Sequence, residues 1–423
     1  MENLFADFPA ATAAQWKARI AKDLKGITFD QLTCTDRNGL QVCPFYTSED
    51  LPKAPQPTIA QNDWAILASI DVDEPASANK KALLQLDNGA SGLSFVLHSD
   101  AEPDILLHEI ELPYIYAQFK VKGSVAKWEE KLAAHIRKQG WHIASGQLVV
   151  TPYQADSTES YVDSLGNLSI DASAFQNAGA ASTYELACTL ALLSEHLHKL
   201  DKQGALTATK SIQICLAADT LFFEQIAKLR ALRQLVPIVT EVFGINPGFH
   251  LQVVTSNIYR SPFDAYNNLL RDTIAGMAAV IGGCDSLFIA PFDEFLNGGN
   301  DIGTRLGRNQ QLLFKEESYL DKIADAAAGS YYLENLTEAI ARKALDIFKE
   351  IEKAGGFWQI LPEIQGQIKA QKEELVAAYK NGEKVLIGVN KFPNPKDEPR
   401  KGEQKAHTVV FGLQPLYLWE EVL

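Results

Sequence analysis

Paired cysteines are absent from this sequence of 423 residues. Its five cysteines are odd in number, lie far apart along the chain and include no CxxC spacing. A disulfide framework or a zinc knuckle needs closely spaced pairs, so neither is predicted, and the thiols are expected to be buried and unpaired. The cysteines are Cys34, Cys43, Cys188, Cys215 and Cys284.

Long apolar runs and basic blocks are also missing. No apolar segment approaches the ~20 residues that span a bilayer, and the start MENLFADF combines neither a basic region nor an apolar core typical of a signal peptide. The formal net charge is −14 and Lys and Arg are not clustered, whereas nucleic-acid binding needs concentrated positive charge. We therefore expect a soluble, cytoplasmic protein without a membrane or nucleic-acid partner.

Apolar residues make up 46% of the chain and fall into alternating strand-like and helix-like segments. Strand-like runs begin at Ser211, Leu251 and Ser286, roughly 35–40 residues apart, which is the spacing of strand–helix units in a parallel sheet. Between the last two, apolar residues recur at helical spacing from Leu269 to Ile281. This rhythm suits both a (β/α)8 barrel and an open doubly wound sheet, and periodicity alone does not separate them.

The chain is predicted to have four parts. A short amphipathic helix is expected at Ala13–Leu24 and a proline-rich, extended linker at Leu51–Thr58. The predicted parts are an N-terminal arm and linker (1–58), a barrel domain (59–333), a C-terminal helical extension (334–395) and a polar tail (396–423).

Local signals predict several further features. Asp219 is typical of the N-cap of the following helix, and Asn335 with Glu338 has the spacing of a capping box. A charged helix is expected near Ile368–Lys380, and the segment KVLIGVN after it is strand-like.

Four stretches of the sequence resemble a known family. They read AYNNLLRDTIAGMAAVIGG, SLFIAPFDE, RNQQLLFKEE and AGSYYLENLTEAIARKAL, and they are similar to the acyl-CoA-binding barrel of the methylmalonyl-CoA mutase family. The likeness extends more loosely from QVCPFYTSEDL to KVLIGVNKFP. It favours a (β/α)8 TIM barrel over an open sheet. In this family adenosylcobalamin starts a radical rearrangement that interconverts methylmalonyl-CoA and succinyl-CoA, so the resemblance implies an isomerase complex.

The resemblance fails where the family holds its cofactor and CoA. Enzymes of this family bind cobalamin through a flavodoxin-like C-terminal domain with a DxHxxG loop, and none of the eight histidines here lies in such a motif. An arginine-rich tract of the type YxxRPWTIRQYAGFS is replaced by YTSEDLPKAPQPTIAQNDW. We therefore expect no cobalamin domain and no cofactor or metal bound by this chain. Whether residue 423 is the natural end of the protein is left open.

Positions that are polar in the family's active site are apolar here. LSIDASAFQNAGA aligns with the family's ISISGYHMQEAGA, which places Ala174 where the family has the histidine that polarises the thioester carbonyl. The resemblance places Val254 and Ala290 where the family has a glutamine and an asparagine, while Asp293 and Glu294 persist. It implies that Val254, Ala290 and Glu294 fall at positions that face the corrin or the adenosyl group in the family. Apolar side chains neither donate hydrogen bonds nor stabilise developing charge. The resemblance therefore implies that this chain has no catalytic residue.

Other candidate sites have simpler interpretations. His196 and His198 are two residues apart, so on a helix they point to different faces, and metal chelation is not expected. The loop Asn297–Gly303 matches no strict phosphate-binding motif and is interpreted as a barrel loop. The pair Asp293–Glu294 is assigned a loop or interface role, and Arg308–Asn309 is interpreted as framework without chemistry.

Three hypotheses about function remain. The first is a structural, non-catalytic small subunit of a heterodimeric mutase, whose large subunit carries the acyl-CoA site and adenosylcobalamin. The alternative is an acyl-CoA mutase barrel subunit that acts with a separate cobalamin-binding protein. A third hypothesis is a small-molecule sensor built on the same barrel.

Overall fold

The computed structural model describes residues 11–24, 26, 28–51, 62–153, 161–295, 300–396, 398–399 and 408–423. Two short strands form an antiparallel pair, and eight further strands form one parallel sheet. In chain order the strands are β1 Cys34–Thr35, β2 Gln41–Val42, β3 Ala65–Val72, β4 Gly92–Leu97, β5 Tyr116–Val121, β6 Leu148–Pro152, β7 Asn167–Asp171, β8 Ser211–Ala218, β9 Gly248–Thr255 and β10 Ser286–Phe288.

The strand order makes the parallel sheet a nearly closed barrel. Hydrogen bonds join the strands in the order β6-β5-β4-β3-β10-β9-β8-β7, so β3 pairs with β10 through Ala65 and Ser286. A barrel requires that the first strand meets the last while each other strand lies beside its neighbour in sequence. The prediction of a (β/α)8 TIM barrel rather than an open doubly wound sheet is confirmed.

The remaining gap in the barrel lies between β6 and β7, and we call it the seam. Asn167 Nδ2 donates to the Leu148 carbonyl oxygen at 2.8 Å, and the Val150 backbone N–H donates to Asp163 Oδ2 at 3.0 Å. Asn167 and Asp163 are both buried. Their side chains therefore satisfy strand-edge groups that a backbone ladder would otherwise satisfy.

Helices surround the barrel. Among those in the described ranges, none combines the length and the apolarity needed to cross a membrane. In chain order the helices are α1 Ala13–Asp23, α2 Pro75–Asp87, α3 Pro103–Leu106, α4 Val125–Gln139, α5 Ser173–Asn177, α6 Ser182–Lys202, α7 Phe222–Val242, α8 Asn267–Ile281, α9 Asp301–Leu312, α10 Tyr331–Lys353, α11 Leu361–Lys380 and α12 Leu418–Val422.

Three long helices form a second layer of packing. Helix α10 packs on α6 and α7, and its apolar residues Leu336, Ile340, Ala344 and Ile351 are buried, whereas Ile347 is partly buried. Helix α6 contacts β7 as well as α10, which explains why its apolar residues are buried on several sides.

The predicted capping box is wrong. Helix α10 has Ser330 as its N-cap, so Asn335 and Glu338 lie inside the helix. Burial of Leu333 in the first turn extends the helix upstream of Asn335, because packing of an apolar side chain outweighs a local capping preference.

Two further local predictions are also wrong. Leu221, not Asp219, is the N-cap of α7, and Asp219 Oδ1 accepts the Leu221 N–H at 2.7 Å in the preceding turn. The segment KVLIGVN forms turns instead of a strand. There, Asn390 Oδ1 accepts the Leu386 N–H and Asn390 Nδ2 donates to the Tyr379 carbonyl oxygen, both at 2.7 Å.

The cysteines differ in burial. Cys188, Cys215 and Cys284 are buried free thiols, as predicted. The prediction of burial is wrong for Cys34, which is exposed, and for Cys43, which is partly exposed, because both belong to the region of the β1–β2 pair outside the barrel core.

The terminal segments agree with prediction only in part. The N-terminal helix is present as α1, and the charged C-terminal helix is present as α11, which starts earlier than predicted. Apart from Leu51, the predicted linker Leu51–Thr58 lies outside the described residues.

In the predicted polar tail, residues 408–423 contain buried Leu416 and Leu418. Their N–H groups donate to the carbonyl oxygens of Asn177 and Ile258 at 2.6 and 3.0 Å, so this segment packs on the end of α5 and on the loop after β9.

Candidate functional site

Polar side chains converge where the barrel strands end. A cavity of about 200 Å³ lies at the carboxyl ends of the strands, the face on which such barrels carry their sites. We call it the mouth cavity. Its polar lining residues are Ser69, Ser94, Lys120, Asp171, Ser173, Asn177, Gln252, Thr255, Asn257 and Glu294.

The four positions singled out by the sequence resemblance meet at this mouth. Val254 on β9, Ala290 after β10 and Glu294 line the mouth cavity. Ala174 on α5 lines an adjoining cavity of about 190 Å³, and Glu294 belongs to the walls of both. Ala174, Val254 and Ala290 present only aliphatic groups, so none of these three side chains can polarise a carbonyl.

Sequence reasoning missed a charged pair in the mouth cavity. Lys120 on β5 and Asp171 on β7 approach each other from the two sides of the seam, with Nζ and Oδ2 3.5 Å apart. Asp171 Oδ1 also accepts from the Oγ and N–H of Ser173, at 2.6 and 3.1 Å. Burial, the largest single effect, disfavours the ammonium, but the neighbouring groups together, with the Asp171 carboxylate first among them, raise the pKa of Lys120. The strand alternation in AQFKV places Lys120 on the same face as Gln118, a signal that could have found it.

A larger cavity adjoins the mouth cavity beside β3, β4 and α9. It has a volume of about 420 Å³ and shares Glu294 with the mouth cavity, and we call it the side cavity. His98 Nε2 and Asp71 Oδ1 lie 3.0 Å apart in its wall. Arg308 of α9 is buried there, and its Nη1 donates to Gln85 Oε1 at 2.5 Å.

A buried ion pair holds the loops that frame the mouth. Arg260 and Asp272 are fully buried, with Nη2 and Oδ1 3.0 Å apart. The same Nη2 donates to Thr255 Oγ1 at 2.9 Å and to the Ala290 carbonyl oxygen at 3.3 Å. Tyr259 donates its hydroxyl to Asp272 at 2.8 Å. This network connects the ends of β9 and β10 and fixes their positions.

Below the mouth, the barrel interior is filled by a group of side chains that we call the floor cluster. Tyr116 donates its hydroxyl to Gln213 Oε1 at 2.7 Å, and Gln213 Nε2 donates to Gln252 Oε1 at 2.5 Å. The Tyr116 ring stacks on His250, with ring centroids 4.6 Å apart, and His250 Nε2 lies 2.9 Å from Ser286 Oγ. These five residues form a packed layer beneath the mouth cavity.

His196 and His198 lie on α6 in different surroundings. His196 lines a cavity along the seam, where burial lowers its pKa to about 4, whereas His198 is exposed. Within the ranges that the structure covers, no group of three His, Cys, Asp or Glu residues is placed to hold a metal.

The end of the glycine-rich loop supports the start of α9. Residues 297–299 lie outside the described residues. Asn300 is the N-cap of α9, with Oδ1 accepting the Gly303 N–H at 2.8 Å and Nδ2 donating to Asp293 Oδ2 at 2.6 Å. A Cβ at Gly303 would lie 2.5 Å from Asp293 Oδ1, so this close approach requires glycine. Buried Asp293 thus has a contact that stabilises the loop.

Known proteins resemble this chain over most of its length. A family model described as methylmalonyl-CoA mutase matches residues 149–410. The chain is 31% identical to the methylmalonyl-CoA mutase small subunit of Porphyromonas gingivalis, over 93% of this chain and 71% of that one. It is 30% identical to the small subunit of Streptomyces virginiae, over 97% of this chain and 75% of that one.

A protein named without a subunit designation is also similar. The chain is 31% identical to a methylmalonyl-CoA mutase of Cereibacter sphaeroides, over 91% of this chain and 65% of that one. Taken with the eight-stranded parallel barrel, these matches show that the chain belongs to the methylmalonyl-CoA mutase family.

Proposed function

We propose that this chain is the structural small subunit of an adenosylcobalamin-dependent methylmalonyl-CoA mutase, which interconverts methylmalonyl-CoA and succinyl-CoA. In this role the chain performs no chemical step and binds a large subunit that supplies the acyl-CoA site and cobalamin. The names of similar small subunits support a partner chain. The observation that carries the proposal is the aliphatic character of Ala174, Val254 and Ala290 in the walls of the cavities at the barrel mouth.

The residues of the mouth do not fit the cofactor. The sequence has no DxHxxG loop to supply a cobalt ligand. His98 lines the side cavity, but its Nε2 is already hydrogen-bonded to Asp71. Val254 and Ala290 offer no side-chain hydrogen bond to a polar macrocycle. We therefore derive no step through cobalamin in this chain and assign its binding to the large subunit.

The N-terminal arm offers a surface for that partner. Helix α1 has no buried residue, and its Trp16 is 51% exposed. The Trp16 ring meets the Phe45 ring edge-on, with the ring centroids 5.6 Å apart. Exposed aromatic side chains are enriched where proteins bind one another. We propose that the arm, residues 1–58, wraps the large subunit.

Copurification with a candidate large subunit tests the partner. Each chain and the mixture are then assayed for mutase activity with adenosylcobalamin. We expect turnover by the large subunit or the complex and none by this chain alone, with a higher melting temperature for the complex. Turnover by this chain with a free-standing cobalamin-binding protein, and without a large subunit, would support the alternative of a catalytic barrel subunit.

The variant Glu294→Gln, assayed in the complex, distinguishes a non-catalytic small subunit from a catalytic barrel subunit. Glu294 is the acid retained at the family's adenosyl-facing position, and it lines the mouth cavity. A non-catalytic subunit predicts unchanged kcat and KM, whereas a catalytic barrel predicts a clear loss of kcat. Glu317→Gln removes an exposed acid from the same chain and is the matched control.

A further inference from the structure

The start of helix α6 takes its cap from distant parts of the chain. The first N–H groups of a helix have no carbonyl partner within the helix, and the side chain of the N-cap residue commonly accepts one of them. The N-cap of α6 is Ala181, whose methyl group cannot accept a hydrogen bond. The first turn of α6 therefore depends on acceptors that other segments supply.

The N-terminal arm supplies one of these acceptors. Strands β1 and β2 form an antiparallel hairpin, and we call its turn, residues 36–39, the hairpin tip. Asn38 Oδ1 accepts the Thr183 N–H at 3.0 Å, although the two residues are 145 positions apart in sequence. Arg37 Nη2 donates to the carbonyl oxygen of Gly179, in the turn between α5 and α6. The hairpin tip thus holds this turn and the first turn of α6 at two points.

The hairpin tip is shaped for this contact. Asp36 Oδ1 accepts the N–H groups of Asn38 and Leu40 at 2.9 and 2.8 Å. Asp36 Oδ2 accepts from Asn38 Nδ2 at 3.3 Å, which leaves the amide oxygen of buried Asn38 directed to Thr183. A single two-stranded hairpin is marginally stable by itself. Docking of the tip on the barrel and the fold of the hairpin therefore stabilise each other.

Helix α1 is joined to the hairpin through aromatic contacts. The Trp16 ring of α1 meets the Phe45 ring edge-on. The next residue, Tyr46, accepts on its hydroxyl oxygen the N–H of Cys43, which directly follows β2, at 3.1 Å. The Tyr46 ring also lies beside that of Tyr332 on α10, with ring centroids 5.7 Å apart. A path of contacts therefore runs from α1, with its exposed Trp16, to the hairpin and the barrel.

The turn held by the hairpin tip is continuous with the barrel mouth. Helix α5, which carries Ala174, ends at Asn177, two residues before Gly179. Asn177 Oδ1 accepts from Ser256 Oγ at 2.7 Å and from the Asn257 N–H at 3.2 Å. Asn177 and Asn257 both line the mouth cavity. The same short stretch of chain thus contacts the hairpin tip and forms part of the mouth.

We propose that the hairpin tip couples the large subunit to the barrel mouth: binding of the large subunit to α1 favours the docked tip and so stabilises the first turn of α6 and the end of α5. The coupling rests on the proposed function, because the large subunit is the partner assigned there to the arm, and it adds a way in which that partner controls the mouth.

The physical basis of the coupling is a difference in affinity. A partner shifts a conformational equilibrium only if it binds the two states with different affinity. A docked tip restricts the positions of α1, so the large subunit loses less conformational freedom when it binds a docked arm. By linkage, the bound large subunit in turn favours the docked tip.

The cap itself is tested by hydrogen exchange of the full chain alone, resolved to the Thr183 amide. Asn38→Ala removes the acceptor, and we expect Thr183 to exchange at least about fivefold faster than in the wild type. Asn88→Ala removes an exposed amide at the end of α2 and is the matched control, expected to behave like the wild type. If Asn38→Ala does not fold, Arg37→Gln, which breaks the contact with Gly179, decides in its place.

The coupling is tested by repeating the exchange with a candidate large subunit present. We expect the large subunit to slow the exchange of Thr183 in the wild-type chain and in Asn88→Ala, and to have little effect on it in Asn38→Ala. Trp16→Ala should weaken binding of the large subunit and leave the exchange of Thr183 in the isolated chain unchanged.

Failure of the coupling can be told from failure of the proposed function. Equal exchange of Thr183 in the isolated Asn38→Ala and wild-type chains would show that the tip does not cap α6, and would overturn the coupling alone. Binding of the large subunit with no change at Thr183, or with equal slowing in Asn38→Ala, would do the same. If the large subunit does not bind the wild-type chain, the proposed function fails and the coupling fails with it.

Discussion

The floor cluster and the mouth of the barrel both contain polar side chains, but these side chains have different partners. In the floor cluster, Tyr116, Gln213 and Gln252 satisfy one another and are buried. At the mouth, Lys120 and Asp171 are 3.5 Å apart and remain 26% and 31% exposed. A closed polar network stabilises one arrangement of the fold, whereas open polar groups can still bind other molecules. Stability and binding capacity are thus separated into two layers of one barrel.

The largest expected effect comes from the closed ion pair that supports the mouth. Asp272→Asn leaves Arg260 buried without its counter-charge, and loss of one partner of such a pair costs about 3–5 kcal/mol of unfolding free energy. Urea unfolding at pH 7 measures the change. Asp346→Asn, in an exposed pair with Lys349, is the control and should stay within about 0.5 kcal/mol. Equal effects of the two variants would contradict the assignment of Arg260 and Asp272 to the framework.

The floor cluster should also make stability depend on pH. Burial lowers the pKa of His250 to about 4, below the usual value of about 6.5. Because the folded state prefers the neutral ring, this stability is fully present above pH ~6.5 and is lost as the pH falls from ~6.5 to ~4, by on the order of 3 kcal/mol. His250→Gln should reduce the slope of unfolding free energy against pH in this window. His196, whose pKa is also lowered to about 4, still contributes to the slope in this variant, so the slope should fall without disappearing. An unchanged slope would show that His250 does not titrate in this way.

A smaller effect is expected from one hydroxyl of the floor cluster. Tyr116→Phe leaves Gln213 Oε1 without its donor and should lower the unfolding free energy by about 1–2 kcal/mol. Tyr114→Phe removes a hydroxyl from a residue that is 80% exposed and should have almost no effect. If the two variants unfold at the same urea concentration, the network of the floor cluster adds little to stability.

The smallest effect is expected at the mouth. Lys120→Met removes one partner of a partly exposed pair, while Asp171 keeps the two hydrogen bonds from Ser173. We expect a loss of about 0–1 kcal/mol in the same urea experiment. A loss as large as that of Asp272→Asn would remove the distinction between the two layers.

The sequence predicts alternating strands and helices because their characteristic spacings of apolar residues recur along the chain. The spacing does not distinguish a closed barrel from an open doubly wound sheet, and the family resemblance favours the barrel. The same resemblance identifies Ala174, Val254, Ala290 and Glu294, which the fold brings to one mouth. The pairing of Lys120 with Asp171 could not be predicted, because it depends on how the barrel curves at the seam.

The failed local predictions have a common cause. Asn335 has the chemistry of a cap, but the buried side chain of Leu333 moves the start of the helix upstream. KVLIGVN has the composition of a strand, but hydrogen bonds from the side chain of Asn390 fold it into turns. In both cases tertiary contacts outweigh a preference that depends on neighbouring residues alone.

The seam determines where this barrel can open. The core on one side of it, which includes Phe95 and Phe119, is a separate hydrophobic cluster from the core that includes Ile214 and Leu287. Separating β4 from β5 would break a ladder that runs from Gly92 and Tyr116 to Leu97 and Val121. At the seam, the described contacts that resist separation include one hydrogen bond donated by the Asn167 side chain and one accepted by the Asp163 side chain. The two half-barrels are therefore expected to move apart along this line first, so that amide protons at the facing strand edges exchange with solvent sooner than those within the ladders.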